Sequence, residues 1–306
     1  MSSNKPYYHA IAFISDIHGN LEALEAILED IKRQQVSSIY CLGDIVGYGP
    51  DPMACTRRLM NLVESKQLIA AVAGNHDYGV CDQDISNFSS SAKEVMEWTI
   101  NEMQGTEEAN YIRELCQKEL IKKIGRFWLV HSTLNPSPEK WEYLKTKNAG
   151  ENFQDRKIVF VGHSHVPAIY SRYSAGKDWH PISLFGNDGH YFLPPAQKTM
   201  LPAGKSSKSY RLEVNDPFPT MIINAGSVGQ PRDNNPNARY ALYITIDYKS
   251  YIEYRQVGYD VQKTVDKHKK RGLSCDERLA TRLCTGGNTR FDHEFKKPDW
   301  FPIFSS

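Results

Sequence analysis

The sequence predicts an α/β fold, and three observations carry that reading. Short apolar runs at His9–Ile14, Ser38–Leu42 and Leu68–Val72 have the length of buried strands. Between them apolar residues return at helical spacing, so the chain opens as β-α-β-α-β, the pattern of a largely parallel sheet. Each run also ends in a polar cluster: Asp16-Ile17-His18, Gly43-Asp44, and Gly74-Asn75-His76-Asp77. Open α/β sheets carry their sites at the carboxyl ends of strands, so the pattern and the clusters agree.

The elements follow in order. Asn20 is placed to cap a helix with Leu21, Leu24, Ile27, Leu28 and Ile31 on one face. The loop Gly47-Tyr48-Gly49-Pro50-Asp51 leads to Pro52, which opens a second helix running to about Val63. Ser89–Met103 and Glu107–Leu120 read as helices within an insertion at about 78–120. Gly125-Arg126 turns a hairpin between Leu120–Ile124 and Phe127–His131. Residues 137–147 read as one more helix. Lys157–Val161 is a strand ending in Gly162-His163-Ser164-His165, and Val166–Tyr173 continues as a strand. Residues 174–219, rich in Gly, Pro, Ser and Lys, read as a loop and hairpin insertion. Met221–Ile223, Tyr240–Asp247 and Tyr251–Val257 read as strands, the last two joined by a turn at Tyr248-Lys249-Ser250. Val261–Lys270 and Asp276–Leu283 form a helical tail at about 260–285. The expectation is a single domain over residues 1–306.

Composition bounds the function. With 40% hydrophobic and 24% charged residues the chain is ordinary globular protein. A net charge of +1 gives no bulk attraction to nucleic acid or membrane. The longest early apolar run, Ala10–Ile14, is too short for a signal peptide or a membrane helix. The six cysteines, Cys41, Cys55, Cys81, Cys116, Cys275 and Cys284, form no C-x-x-C pair. Together these point to a reduced, cytoplasmic protein without a disulfide framework.

The chemistry lies in the clusters. Asp16 and His18 are two apart, and in extended backbone residues i and i+2 share a side. His163 and His165 repeat that spacing. The Asp44 carboxylate has two oxygens and can bridge two cations, Asn75 offers a neutral oxygen, and His131 ends its own strand. Oxygen and imidazole donors without thiolate suit Mn, Fe, Zn, Ni or Co. The set exceeds what one ion needs and so implies two divalent metal ions, a usual device for in-line displacement at phosphorus. Singly, each cluster has a plain reading as a turn, a cap or a core histidine. Their order, each just past a strand, argues for a site.

That ordered set, DIHGN, GDIVGYGP, GNHD, VH and GHSH, resembles the calcineurin-like metallophosphoesterase superfamily, whose pattern is D-x-H, G-D, G-N-H-[DE], H, G-H-x-H. The resemblance continues through NAGSVGQPRDN at 224–234. The closing segment, from Val257 on, is similar to bacterial members related to the PP2A-like and YfcE-like branches. The resemblance implies a four-layer αββα sandwich of two mixed sheets flanked by helices. It implies one ion held by Asp16, His18, Asp44 and His165, and a second by Asp44, Asn75, His131 and His163. A hydroxide between the ions would be the nucleophile, and His76 the general acid. Asp77 is expected to orient the His76 imidazole, with a loop-stabilising cap as the alternative. Arg232 suits bidentate phosphate binding, and Tyr48 could line the pocket.

Phosphoprotein phosphatases and diadenosine tetraphosphatases of this superfamily carry Arg-Gly after G-D-x-V-x and Arg before G-N-H. Here those places read Gly47-Tyr48-Gly49-Pro50 and Ala73. The expectation is therefore a metal-dependent phosphodiesterase acting on a nucleotide-like or other small phosphate ester. The alternatives are a phosphomonoesterase, including a protein serine/threonine phosphatase, and a non-catalytic scaffold of the same fold. The two insertions could cap the pocket or support a homo-oligomer.

Overall fold

Twelve strands, arranged as two mixed sheets, fill the centre of the computed structural model, which describes residues 7–118, 120–137, 140–144, 148, 158–172, 190–192, 207–214, 220–273 and 282–283. The strands are β1 (Tyr8–Ile14), β2 (Ser38–Cys41), β3 (Leu68–Ala71), β4 (Ile121–Ile124), β5 (Phe127–Val130), β6 (Ile158–Val161), β7 (Ala168–Arg172), β8 (His190–Phe192), β9 (Ser207–Val214), β10 (Thr220–Asn224), β11 (Ala238–Ile246) and β12 (Lys249–Val257). The helices are α1 (Leu21–Arg33), α2 (Pro52–Glu64), α3 (Asn75–Asp82), α4 (Ser90–Met103), α5 (Glu107–Cys116) and α6 (Val261–Lys270).

One sheet runs β3-β2-β1-β11-β12-β9 and the other β4-β5-β6-β10-β7-β8. Within them β1, β2 and β3 are parallel, as are β5, β6 and β10, and the remaining pairs are antiparallel. The largely parallel sheet read from the opening residues thus stops at β1, where β11 pairs antiparallel. Each parallel triad aligns three carboxyl ends along one edge. The clusters of the sequence follow these six strands.

Alternation along β1 explains the layers. Ile11 and Phe13 enter the core between the sheets, and Ala10, Ala12 and Ile14 face the helices. Phe13 stacks on Phe160 of the facing sheet with ring centroids 3.4 Å apart. Ile27, Leu28 and Ile31 of α1 and Cys55, Leu59 and Leu62 of α2 cover the outer face of the first sheet. On the far side, Leu134 and Leu144 cover Val130, Val159, Val161 and Ile222. Asn20 caps α1 as expected, its Oδ1 accepting from Ala23 N–H at 3.1 Å.

Several expectations shift. Residues 137–147 do not form a helix among those described: Ser137 and Lys140 make an antiparallel bridge, and 140–144 are irregular. Pro136 and Pro138 remove backbone donors and disfavour helical neighbours there. Asn75-His76-Asp77 is the first turn of α3, not only a loop. The β11–β12 turn is Asp247-Tyr248, since Ile246 pairs with Lys249 and Asp247 takes φ 53°. In the 174–219 stretch the described parts are β8 and β9, and β9 pairs along β12. Of Asp276–Leu283, only the last two residues fall among those described. No described helix is long and apolar enough to cross a membrane.

Asp30 breaks the apolar face of α1, yet it is buried. Its Oδ2 accepts from Tyr240 OH at 2.8 Å and Arg255 Nε at 3.0 Å, and its Oδ1 from Arg255 Nη2 at 3.1 Å. These bonds tie α1 to β11 and β12. Removing one partner leaves a buried charge uncompensated, so Asp30→Ala is expected to cost about 3–5 kcal/mol. A denaturant titration checks this, and a change under about 0.5 kcal/mol would show the network to be neutral.

Candidate metal centre

Backbone pairing carries on past the ends of β1 and β2. Asp16 N–H donates to Gly43 O at 3.0 Å, His18 N–H to Asp44 O at 2.9 Å and Gly19 N–H to Ile45 O at 2.9 Å. Asp16, His18 and Asp44 take φ of 52°, 48° and 53°, and His163 and His165 take 65° and 60°. Such left-handed backbone costs a non-glycine residue roughly 1–2 kcal/mol. Asp16 and His18 therefore converge through paired left-handed turns, not through the extended backbone that their spacing suggested.

Other loops hold the carboxylates. His163 N–H donates to both Asp16 oxygens at 3.1 Å, and His76 N–H donates to Asp44 Oδ1 at 2.9 Å. A Cβ at Gly74 would overlap the Asp44 carboxylate, so only glycine lets the two loops close. The turn after β10 returns to the same place, with Gly229 N–H and Ser227 Oγ each donating to Asp16 O at 2.9 Å.

The histidines are oriented from behind. Nδ1 of His18, His131 and His165 lies 3.2, 2.7 and 2.6 Å from the carbonyl oxygens of Val46, Leu42 and Gln230. A carbonyl only accepts, so each Nδ1 carries a proton and each Nε2 turns inward, bare on the neutral rings of His18 and His165. His18 Nε2 and His165 Nε2 then face each other at 3.2 Å. Asp16 Oδ1 lies 3.3 Å from His165 Nε2, and Asp44 Oδ2 lies 3.6 Å from His18 Nε2. Two lone pairs and two carboxylates gathered so closely repel unless a cation joins them. Nitrogens about 2.1 Å from one ion and at right angles sit about 3 Å apart, so the spacing fits.

Beside this group, His131 Nε2 lies 3.2 Å from Asp44 Oδ2. His163 Nε2 and Asn75 Oδ1 are buried with no hydrogen-bond partner. The ligand atoms of Asp44, His131 and His163 lie within 4.8 Å of one another, as do those of Asp16, His18, Asp44 and His165. Asp44 belongs to both groups. These orphaned, buried acceptors fit divalent metal.

The calcineurin-like phosphoesterase family profile matches residues 9–189. The chain belongs to the calcineurin-like phosphoesterase family. It is 35% identical over 280 residues to the uncharacterised protein MJ0912 of Methanocaldococcus jannaschii, covering 90% of this chain and 98% of that one. It is 26% identical over 223 residues to phosphodiesterase YfcE of Escherichia coli, covering 71% and 94%. The crystal structure of a metallophosphoesterase from Sphaerobacter thermophilus matches it with a TM-score of 0.67 and 30% identity, over 92% of this chain and all of that one (100%). Membership makes the protein a phosphoesterase of a family that uses divalent metals.

The electrostatics suit ligation. Burial lowers His163 to about 3 and holds His18 and His165 well below the usual imidazole range, keeping all three neutral. Burial would raise Asp44, but His131, His76 and His18 hold it far below the carboxylate range. Burial would lower His131, but Asp44 and Asp16 raise it to about 9, so its Nε2 holds a proton that a bound cation would displace. Burial, with the Asp44 charge beside it, lifts Asp16 to about 7.

Asp77 does not orient His76. Its Oδ2 accepts from Asp44 N–H at 2.8 Å and Gly74 N–H at 2.9 Å, and its Oδ1 from Ile45 N–H at 2.9 Å and Val46 N–H at 3.3 Å. The carboxylate is taken up in pinning the Asp44 loop to the first turn of α3, the capping alternative. His76 instead sets Nδ1 3.2 Å from Met96 Sδ. Burial lowers it to about 4, with Arg232 and His131 opposing its charged form and Asp44 favouring it. It is thus neutral near pH 7.

Tyr48 packs on His18 and His76, with ring centroids at 4.8 and 4.5 Å. The Arg232 guanidinium is buried 5.8 Å from the Tyr48 ring. Sequence reasoning missed Trp141 and Tyr143, whose rings lie 5.7 Å from His131 and 4.4 Å from His163. Their i, i+2 spacing after two prolines was the available signal, and the helical reading of 137–147 hid it.

If Asp77 pins the Asp44 loop, Asp77→Asn places an amide donor against backbone donors. Manganese affinity is expected to fall about 10–100-fold, while Asp44→Asn abolishes stoichiometric binding. Equilibrium dialysis with elemental analysis reads both, and wild-type affinity in Asp77→Asn would remove the proposed role.

Proposed function

We propose that this protein is a divalent-metal-dependent phosphodiesterase acting on nucleotide-like or other small phosphate diesters, with water as nucleophile. Asp16, His18, Asp44 and His165 would hold one cation, and Asp44, Asn75, His131 and His163 a second. When bound, the cations supply Lewis acidity, which lowers the pKa of water and neutralises charge on phosphoryl oxygens.

The observation that carries this reading is Arg232. It is buried, its backbone N–H donates to His165 O at 3.3 Å, and its guanidinium lies 5.8 Å from the Tyr48 ring that packs on His18 and His76, so it lies beside the same cluster. Its Nη2 donates to Gln230 Oε1 at 2.9 Å, and Tyr143 is a further partner, but its Nε has none. Among the described residues it makes no ion pair with a carboxylate. A buried cation beside a site for cations is repulsive unless an anion completes the set. A phosphoryl group does so, and the free Nε–H is a donor for it.

His76 would handle the leaving-group proton at Nε2, since Met96 takes the Nδ1 side. Met96 Sδ only accepts, so the proton of the neutral ring sits on Nδ1, and Nε2 would first take a proton from water and then pass it to the leaving oxygen. Asp77 holds the loop that sets Asp44 and is a positioning residue. Tyr48 carries Arg232 on its ring face. Ala73 and the absence of arginine at 47–50 favour a singly charged diester, and the similarity to phosphodiesterase YfcE supports this. Arg232 would also bind the phosphoryl oxygens of a monoester, so a phosphomonoesterase is the second reading. With the proposal go a cytoplasmic location and a single domain whose insertions at about 78–120 and 174–219 would cap the pocket or join copies in a homo-oligomer.

With manganese added, bis-(p-nitrophenyl) phosphate is expected to turn over faster than p-nitrophenyl phosphate, and neither without metal. Preference for the monoester sinks the diesterase reading, and no turnover of either by metal-loaded protein favours the scaffold. His76→Ala should retain metal while kcat falls about 10²–10⁴-fold, and Arg232→Ala should retain metal while kcat/KM falls about 10–100-fold. Metal loss in parallel with activity in either variant would show a ligand-positioning role instead.

A further inference from the structure

The carboxyl ends of α3 and α5 meet away from the metal ligands, and two thiols face each other there. Cys81 in the last turn of α3 and Cys116 at the end of α5 have Sγ atoms 2.7 Å apart. Non-bonded heavy atoms rest at about 3.5–4.0 Å. Thiolates sharing one tetrahedral zinc would lie about 3.7 Å apart. The pair is thus too close for a shared ion. Tyr78 OH donates to Cys116 O at 2.7 Å and holds the two helix ends together.

Exposure separates this pair from the other described thiols. Cys41 and Cys55 are fully buried, and burial pushes Cys41 up to about 12 and Cys55 well above the thiol range. Cys81 and Cys116 are only partly buried, open to a small reagent.

We propose that Cys81 and Cys116 are a modification site, joined reversibly as an intramolecular disulfide by exchange with a low-molecular-weight disulfide. The Cys81 thiolate attacks one sulfur of the external disulfide, breaks its S–S bond and releases one thiolate. That thiolate takes the Cys116 proton, and Cys116 attacks Cys81 Sγ, expelling the second thiolate, which takes the proton that Cys81 lost to solvent. Two protein thiols are oxidised and one external disulfide is reduced to two thiols. Attack by Cys116 first, followed by Cys81, gives the same product and the same balance. The bond ties α3, whose first turn holds Asn75, His76 and Asp77, to α5 across a separation of 35 residues.

The test uses the reduced, metal-loaded full chain with glutathione disulfide, then alkylation and peptide mass mapping. The expected product joins the Cys81 and Cys116 peptides, is reversed by dithiothreitol, and raises Tm on the order of 5 °C. Cys116→Ser should trap glutathione on Cys81, and Cys81→Ser should trap it on Cys116. Separate glutathione adducts on both thiols, two free thiols, or pairing of either with Cys275 or Cys284 overturns the proposal. The wild-type map decides the matter even if a serine variant does not fold.

Discussion

The structure is organised around one buried carboxylate, Asp44. Its Oδ1 accepts His76 N–H, and its Oδ2 faces His131 at 3.2 Å and His18 at 3.6 Å. A carboxylate out of water needs such partners, because an unpaired one costs far more than a typical hydrogen bond returns. The loops after β1, β2, β3 and β5 all bend toward it. Five candidate ligands accept left-handed backbone to do so, a strain that together is comparable to a sizeable part of a domain's net stability. Loop-to-loop hydrogen bonds and the Asp77 clamp hold that geometry.

The two sheets make that convergence possible. Each contributes one parallel triad, so six carboxyl-terminal ends meet along a shared edge. The aromatic layer around Phe13, Phe127 and Phe160 sets how the faces lie on each other. Packing at protein density leaves little slack, so a shift in that layer would move His131 and His163 relative to Asp16 and Asp44. Asn20 links the levels further: it caps α1 through Oδ1 and donates through Nδ2 to Gly229 O at 2.9 Å. One side chain thus starts a helix and braces the turn that supports Asp16.

What was legible in the sequence was local. Apolar runs marked the strands, and the polar residues just beyond them marked the candidate ligands, because both signals are carried by residue type at short range. What was hidden depends on contacts distant in sequence. Asp77 sits beside His76, so the local reading gave it to that ring, whereas its oxygens reach the backbone of residues 44–46. The partner that buries Asp30 of α1, Arg255, lies 225 residues away, beyond any local pattern. Trp141 and Tyr143 were hidden by a false helical reading, since periodicity cannot register which ring will pack on which histidine.

The substrate question turns on where positive charge comes from. Phosphatase-type relatives carry Arg-Gly in the stretch that here contains Tyr48. The loop could not host a side chain at position 47, where a Cβ would overlap His76 Nδ1. Tyr48 instead turns an aromatic face to Arg232, which arrives from the turn after β10. Charge is therefore supplied from the opposite sheet, by one guanidinium rather than two. One guanidinium with divalent ions balances a phosphate diester well and a dianionic monoester less fully. In the proposed diesterase, the Tyr48 ring would also give an aromatic or nucleoside leaving group an apolar surface beside His76. That pairing of a single cation with an aromatic wall is the physical case for a diester over a phosphoprotein.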